Sequence, residues 1–191
     1  MEADKDMIEV EEKVKSYAGI PEAEFVDDID AYMTLETNSG EVDKVLKRLD
    51  EQHSKYKCME YNLLSKKRRL RVQIPDLEMS LAMIKFLQKQ NESPSDLEME
   101  FLLSEQAYVK ATIPPTDKVC LWLGANVMLE YTLDDASELL EKNIDSAKKN
   151  LSHVEHDLDF LRDQFTTTEV NMARVFNWDV KRRKTAKEAA S

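Results

Sequence analysis

Two apolar stripes of equal length flank a middle segment that has a different periodicity. The first recurs at every seventh residue: Val42, Leu49, Tyr56, Leu63, Leu70, Leu77 and Ile84. The second alternates steps of four and three, the a/d spacing of a coiled coil: Leu133, Ser137, Leu140, Ile144, Ala147, Leu151, Val154, Leu158, Leu161, Phe165, Thr168, Met172 and Val175. The first and last positions of each stripe lie 42 residues apart, which predicts a helix of roughly 60 Å or more. Equal helices bury their seams best in an antiparallel hairpin, so we expect Val42 near Val175 and Ile84 near Leu133.

The middle segment, residues 97–132, changes to the two-residue period of β-strands. Pro114–Asp117 and Gly124–Asn126 are turn sequences, which divide the segment into two predicted β-hairpins. The apolar rows of its four strands are Met99, Phe101 and Leu103; Ala107, Val109, Ala111 and Ile113; Val119, Leu121 and Leu123; and Val127, Leu129 and Tyr131. The predicted fold class is therefore α+β, a long antiparallel coiled-coil hairpin with two β-hairpins inserted between the helices.

Two hairpins alone are marginally stable in water, because they leave strand edges unpaired and apolar rows uncovered. We therefore expect the chain to oligomerise through these strands. The residues expected at that interface are Val109, Ile113, Val119, Leu121, Leu123, Gly124, Val127 and Leu129.

The remaining segments are expected to be short or unstructured. Residues 1–19 are predicted as an acidic disordered tail, and residues 20–40 as a short helix and loop that opens at Pro21 and packs through Phe25, Ile29, Tyr32 and Met33. Asn38 is a candidate N-cap for the first long helix, residues 41–92, in which Pro75 predicts a kink. The second long helix is predicted over 133–178, and a basic tail over 179–191.

Charge narrows the range of partners. The chain has 191 residues and a net charge of −11, of which residues 1–40 contribute −9 through twelve acidic residues and three lysines. An acidic balance argues against bulk binding to nucleic acid or to anionic membranes. No apolar run approaches 18 residues, so no membrane-spanning helix is expected. The acidic N-terminus does not resemble a signal peptide. The two cysteines, Cys58 and Cys120, are then expected as reduced thiols in the cytosol or nucleus.

Three motifs that could carry chemistry have simpler interpretations. His153 and His156 could ligate a metal, but no third ligand is evident, and a solvated helix face is the simpler reading. The basic run Lys66–Arg69 lies inside the heptads, unlike the basic region of a leucine zipper, and is also expected to be a solvated face. Lys181–Lys184 could be a nuclear-import patch or a contact for an acidic partner, and a disordered basic end is the simpler reading. There is no glycine-rich phosphate loop and no nucleophile constellation, so we expect no enzymatic activity, cofactor or metal.

The hairpin segment carries specific motifs. The stretch Val109–Glu130, with Thr116-Asp117-Lys118-Val119, the single Gly124 and the ending Val127-x-x-Glu130, resembles the hairpins of α-type prefoldin subunits. The flanks Leu49–Gln52, Asp159–Phe165 and Asn177–Val180 resemble eukaryotic members of that family. The resemblance extends over roughly residues 19–184. Strand alternation alone would be weak evidence, but this combination of motifs is specific.

The resemblance implies a heterohexamer of two α-type and four β-type subunits, in which the hairpins build a double β-barrel and six coiled coils extend from it. It also implies capture of non-native actin and tubulin and their transfer to the cytosolic chaperonin, without nucleotide. The acidic segment before Gly19 lies outside the shared pattern.

A coiled-coil tip that holds many clients needs adaptable apolar surface. The candidates at the open end of the hairpin are Val42, Val45, Leu46, Leu49, Phe165, Met172, Val175, Phe176 and Trp178. Phe176 and Trp178 fall outside the a/d positions, so they are either free for clients or folded back as a cap. A coiled-coil scaffold or adaptor without chaperone activity remains the alternative function, and it would not need the two hairpins.

Overall fold

The structure, a computed structural model, describes residues 15–92 and 96–189. Its elements in order are α1 (Ile29–Thr34), α2 (Val42–Asn91), β1 (Leu97–Ser104), β2 (Ala107–Ile113), β3 (Lys118–Gly124), β4 (Val127–Thr132) and α3 (Leu133–Ala189). The predicted α+β arrangement, two long helices with two β-hairpins inserted between them, is confirmed. The chain forms two compact units: a first unit with described residues 15–67 and 153–189, and a second unit with described residues 68–92 and 96–152.

Helices α2 and α3 run antiparallel within each unit. Cross-helix ion pairs show this, because the residue number falls along α3 as it rises along α2. The pairs are His53–Glu169 at 3.2 Å and Lys67–Glu155 at 2.9 Å in the first unit, and Glu78–Lys148 at 2.7 Å and Lys85–Glu141 at 2.8 Å in the second.

The heptad stripes form the buried seam. Every residue of the first stripe is buried except Leu77, which is half-buried. In the second stripe burial is deepest at every seventh residue from Leu133 to Val175, and the polar member Thr168 is fully buried with its hydroxyl donating to the Gln164 carbonyl at 2.9 Å. Val42 shares a core cluster with Val175, and Ile84 shares another with Leu133, so both predicted pairings are confirmed.

The strands form two separate antiparallel two-stranded sheets, β1 with β2 and β3 with β4. The second hairpin closes through Ala125 and Asn126, whose φ angles are +48° and +63°. Two positive φ angles in a two-residue loop are typical of a type I′ turn. Gly124 precedes them with φ +90°, at an irregularity in the pairing, which is a backbone position that favours glycine.

The second hairpin packs on the helices of its own unit. Val119, Leu121 and Tyr131 lie against a buried cluster of Ile84, Leu133, Ala136 and Leu140. The start of α3 is fixed by Thr132, whose hydroxyl oxygen accepts from the Asp135 amide at 3.1 Å, the N-cap bond of a capping box. The Leu133 amide also donates to the Asp117 carbonyl at 3.1 Å, which connects the turn before β3 to the helix.

The segment before α2 differs from its prediction. Residues 15–28 are not helical, so Pro21 does not open a helix, and α1 begins only at Ile29. The reason is Asp28, whose carboxylate accepts from the amides of Asp30 and Ala31 and caps the helix there. Residues 1–14 of the predicted acidic tail lie outside the described residues.

Asn38 is not the N-cap of α2, and this prediction is wrong. Its side chain is buried, its amide donates to the Tyr32 carbonyl at 2.6 Å, and its oxygen accepts from Arg48 at 2.8 Å. The first helical turn of α2 instead begins with the Val45 amide donating to the Glu41 carbonyl. Asn38 therefore connects α1, the loop and α2.

The predicted end of the second long helix at residue 178 is wrong as well. Helix α3 continues through the basic residues that follow and ends at Ala189. The apolar heptad stops at Val175, and Asp179 takes the next seam position. Its carboxylate pairs with Arg182 at 3.0 Å and with Arg183 at 2.6 Å, the i+3 and i+4 spacings that support a helix.

Helix α2 passes through Pro75 without interruption. A proline inside a helix removes one backbone donor and crowds the preceding turn. The continuous helix agrees with a bend rather than an end at this position, and the bend itself stays a prediction.

Candidate functional site

The end of the coiled coil in the first unit is a packed core. Met33 of α1 is fully buried against Val42, Val45, Leu49 and Val175. Around this cluster lie the half-buried Ile29, Tyr32, Leu46, Met172 and Trp178. Four of the nine residues predicted to bind clients, namely Val42, Val45, Leu49 and Val175, are thus core residues and have no free surface in this arrangement.

One predicted residue of the nine is well exposed. Phe176 is 59% exposed and lines an open, mainly apolar pocket of about 500 Å³. Leu46, Met172 and Ala173 line the same pocket, with Lys47 and Asp50. We call Phe176, Leu46, Met172 and Ala173 the Phe176 patch. It combines an aromatic ring with the flexible side chain of a methionine, which adapts to partners of varied shape.

Phe165 and Trp178 contribute to packing. Phe165 is half-buried and makes edge-to-face contacts with His53 and Tyr56, with ring centroids 5.1 Å and 5.9 Å away. The indole nitrogen of Trp178 donates to Asp30 at 2.6 Å, and the Arg182 guanidinium lies 5.0 Å from the Trp178 ring. Of the two alternatives left open by the sequence, Trp178 therefore folds back as a cap, whereas Phe176 does not.

The first unit also holds a polar ladder that sequence reasoning missed. Asp157, Gln164 and Asn171 are buried at seven-residue intervals along α3, each one position before a seam residue. Their partners are main-chain groups of residues 16–27, which we call the strap. The bonds are Tyr17 and Ala18 amides to Asp157, the Ala23 amide to Gln164, the Val26 amide to Asn171, and the Asn171 amide to the Glu24 carbonyl.

The strap corrects two sequence predictions. Residues 16–19 belong to it, and residues 16–18 bond to Asp157 of α3, so this part of the predicted disordered tail is ordered. His153 is half-buried rather than fully solvated, because the Tyr17 ring stacks on it with centroids 3.7 Å apart. The His156 ring meets Tyr17 edge-on, but His156 is exposed. The heptad spacing of the three polar residues was the signal that could have indicated an occupied groove.

The second unit exposes the predicted assembly residues to different degrees. Val109, Leu123, Val127 and Leu129 are each between 43% and 48% exposed. Val119 and Leu121 are half-buried, because they pack on the helix cluster of their own chain, and Ile113 and Gly124 are also half-buried. Further exposed apolar side chains that the prediction left out are Phe101, Leu102, Leu103, Tyr108, Trp122 and Met128.

The first hairpin carries an apolar face that the described residues leave open. Phe101 lies opposite Val109, and the pairs Met99–Ala111 and Leu97–Ile113 continue the same face. Phe101 is 46% exposed. Both sheets have only two strands among the described residues, so each presents unpaired edges beside such a face. Edges and faces of this kind are suited to pairing with strands of other chains.

A charged pair crosses the opposite face of the second hairpin. The Lys118 ammonium donates to Glu130 at 2.8 Å. This hydrogen bond, together with the attraction of the carboxylate, raises the pKa of Lys118 above its ordinary value. Lys118 therefore carries its positive charge at neutral pH and loses it only as pH rises through the raised pKa.

Within residues 15–92 and 96–189, no group of three or more His, Cys, Asp or Glu side chains is placed to hold a metal ion. No helix in the same part of the chain is long and apolar enough to cross a membrane. Cys58 and Cys120 are exposed free thiols.

Comparison with known proteins shows which family shares this arrangement of helices and hairpins. The family model for prefoldin subunits matches residues 56–178, the greater part of both long helices and both hairpins between them. The chain belongs to the prefoldin family. Prefoldin subunit 3 of Mus musculus is 62% identical over 167 residues, covering 87% of this chain and 85% of that protein. Prefoldin subunit 3 of Drosophila melanogaster is 55% identical, covering 95% and 91%, and that of Saccharomyces cerevisiae is 36% identical, covering 92% and 91%.

Among solved structures, a chain of the filamentous PFD from Methanocaldococcus jannaschii is 21% identical and covers 59% of this chain and 91% of its own, with a TM-score of 0.48. The family and the curated relatives identify the chain as a prefoldin co-chaperone subunit. The resemblance of the hairpin motifs and of their flanks to prefoldin is thereby confirmed.

Proposed function

We propose that this prefoldin subunit is an α-type member of a heterohexamer with one further α-type and four β-type subunits. The complex captures non-native actin and tubulin without ATP and transfers them to the cytosolic chaperonin. In this chain the Phe176 patch contacts the client, and the two hairpins hold the subunit in the complex.

The exposed ring of Phe176 carries the client-binding part of the proposal. The Phe176 side chain is 59% exposed on a helix, beside Met172 and Leu46, and it is not part of the buried core cluster. Exposed apolar patches of this kind mark binding sites in soluble proteins. The neighbouring core cluster fixes the helices below the patch, so Phe176 is presented on a rigid support.

The hairpins support the assembly part of the proposal. Their open edges and the exposed Phe101–Val109 pair need partner strands to be covered. Strand addition uses main-chain hydrogen bonds for affinity and the alternate side chains for specificity, so related subunits with similar hairpins are suitable partners.

We further propose that the subunit acts without enzymatic activity, in the cytoplasm or in cytoplasm and nucleus, and that neither nucleic acid nor membrane is its partner. The net charge of −11 supports the last point, because it repels polyanions. The exposed thiols of Cys58 and Cys120 agree with a reducing compartment.

Reconstitution tests the proposal. The chain is mixed with the other five prefoldin subunits, its mass is measured under native conditions, and suppression of the aggregation of unfolded actin is followed without nucleotide and with a chelator present. A single hexamer that suppresses aggregation under both conditions is the expected result. A hexamer that leaves aggregation unchanged would favour the scaffold alternative, and a requirement for ATP or metal would contradict the mechanism.

A further inference from the structure

The groove that holds the strap makes most of its hydrogen bonds with main-chain groups of the strap. Seven main-chain groups of the strap bond to side chains of α2 and α3: the amides of residues 17, 18, 23 and 26, and the carbonyls of residues 21, 24 and 27. The groove residues that make these bonds are Tyr56, Asp157, Gln164, Asn171 and Arg174. Any extended polypeptide offers the same groups, so these contacts do not depend on the sequence of the bound segment.

The spacing of the ladder matches an extended chain. Gln164 and Asn171 lie seven residues apart on α3, a rise of about 10.5 Å. The amides they bind, Ala23 and Val26, are three residues apart, and three extended residues span about 10 Å. Asp157 and Gln164 are also seven residues apart on α3, but the amides they bind, Ala18 and Ala23, are five residues apart, which is more than an extended chain needs for that distance. The backbone at Gly19, with φ +67°, takes up the excess length.

The side chains that enter the groove are few and modest in size. Ile20, Ala23 and Val26 are buried at every third residue, the period of an extended ribbon with three residues per turn. The intervening Glu22, Glu24 and Phe25 are exposed. The groove therefore holds an extended backbone with a small or medium apolar side chain at every third position, and the residues between them are exposed.

We propose that this groove is a binding site for an extended segment of non-native polypeptide, and that the strap occupies it as a displaceable substitute from the same chain. This inference rests on the proposed capture of non-native proteins, and it names a second contact for them beside the Phe176 patch. Non-native chains lack fixed side-chain arrangements but share exposed backbone and apolar residues, which are the two features that the groove binds.

The connection of the strap allows it to leave while the core of the unit stays intact. Its C-terminal end leads into α1, where Met33 is fully buried in the core cluster and Asp28 caps the helix. Release from the groove can therefore stop at Asp28 without disturbing α1. The strap binds from within the chain at a high effective concentration, so a competing segment needs either high local concentration or several contacts to displace it.

The test uses a fluorescent peptide with the sequence of residues 16–28 and the hexamer assembled from the full chain. Ile20→Asp with Val26→Asp weakens the strap and leaves every groove residue unchanged. The strap competes with the added peptide, so a groove that the strap fills most of the time has a reduced apparent affinity for the peptide. Freeing the groove should therefore tighten peptide binding by about tenfold or more. Adding Gln164→Ala and Asn171→Ala should abolish that gain, whereas the exposed neighbours Asp163→Ala and Val170→Ala should retain it.

Circular dichroism confirms that each variant keeps its helices, and a chain that begins at Asp28 provides a second strap-free form if the aspartate variant unfolds. A peptide with Ala23→Pro lacks the amide N–H that donates to the Gln164 side-chain oxygen, and it should bind more weakly to both strap-free forms. Equal peptide binding by wild type and by the strap-free forms, or a gain that survives the Gln164 and Asn171 changes, would overturn the inference. The peptide assay is independent of actin, so the proposed function can fail in the aggregation assay while this inference stands or falls on its own.

Discussion

At the scale of single residues, buried polar side chains determine how the first unit is connected. Asn38 is 1% exposed and bonds to both Tyr32 and Arg48. Buried polar groups stabilise a fold only when their partners are present, because an unpaired one keeps its desolvation cost. All the buried side-chain nitrogen and oxygen atoms of the described residues have a hydrogen-bond partner. Removing one member of such a pair should therefore leave the other unpaired, with its desolvation cost uncompensated.

Asn38→Ala should therefore lower the free energy of unfolding by about 1–3 kcal/mol, because it leaves the Tyr32 carbonyl without its amide donor and removes an acceptor from Arg48. Urea denaturation followed by circular dichroism measures the change. The exposed neighbour Thr37→Ala is the control and should stay within about 0.5 kcal/mol of wild type. Similar losses for both variants would contradict the connecting role of Asn38.

Residues such as Asn38 also mark the limit of what the sequence predicts. The apolar seam residues follow a period that any helix imposes locally, so their burial was predictable. The partners of Asp157, Gln164 and Asn171 lie about 140 residues away along the chain, and no local pattern specifies which segment fills the groove. The burial of four predicted tip residues has a similar cause, because α1 lies outside the heptads and covers Val42, Val45, Leu49 and Val175.

At the scale of elements, the length of the apolar repeat does not always set the length of the helix. The heptads of α2 and the alternation of the four strands predicted the bounds closely, because these elements begin and end where their burial pattern does. Helix α3 continues past its apolar pattern to Ala189, since the Asp179 ion pairs support it there. The C-terminal part of α3 also holds α1 through Trp178, and it holds the loop before α2 through Arg182, which donates to the Gly40 carbonyl.

Trp178→Ala should loosen α1 while the helices of the second unit stay unchanged. The substitution removes packing against the core cluster and the bond to Asp30, so amide exchange in residues 29–34 should accelerate by about tenfold or more. Hydrogen exchange followed by mass spectrometry measures this. Phe176→Ala on the same helix is the control and should leave α1 protected. Unchanged exchange in the Trp178 variant would show that α1 is held by other contacts.

At the scale of the whole molecule, the proposed assembly surface and the proposed client surface belong to different units. Leu121 packs on its own helices, so a charge placed there would disturb the fold as well as the assembly. The exposed pair Phe101 and Val109 gives a cleaner test. Phe101→Asp with Val109→Asp should prevent incorporation into the hexamer while the helical circular dichroism of the chain stays intact, because two charges would face the apolar surface of a partner.

The control for this variant is Glu98→Ser with Thr112→Ser, a facing pair on the other side of the same hairpin, which should assemble normally. Native mass spectrometry of the mixture of six subunits separates the results. Normal hexamers from the Phe101 and Val109 variant would show that this face is not the interface.

The most direct measurement compares hexamers that differ only at Phe176. Phe176→Ser removes the exposed ring and leaves the core cluster, the strap and both hairpins unchanged. Suppression of the aggregation of unfolded actin is measured at equal hexamer concentration without nucleotide, with the exposed neighbour Asn177→Ser as the control. We predict a weaker but not abolished effect for Phe176→Ser, because the other subunits also hold the client, and an unchanged effect for Asn177→Ser. Equal suppression by Phe176→Ser and wild type would contradict capture through this patch.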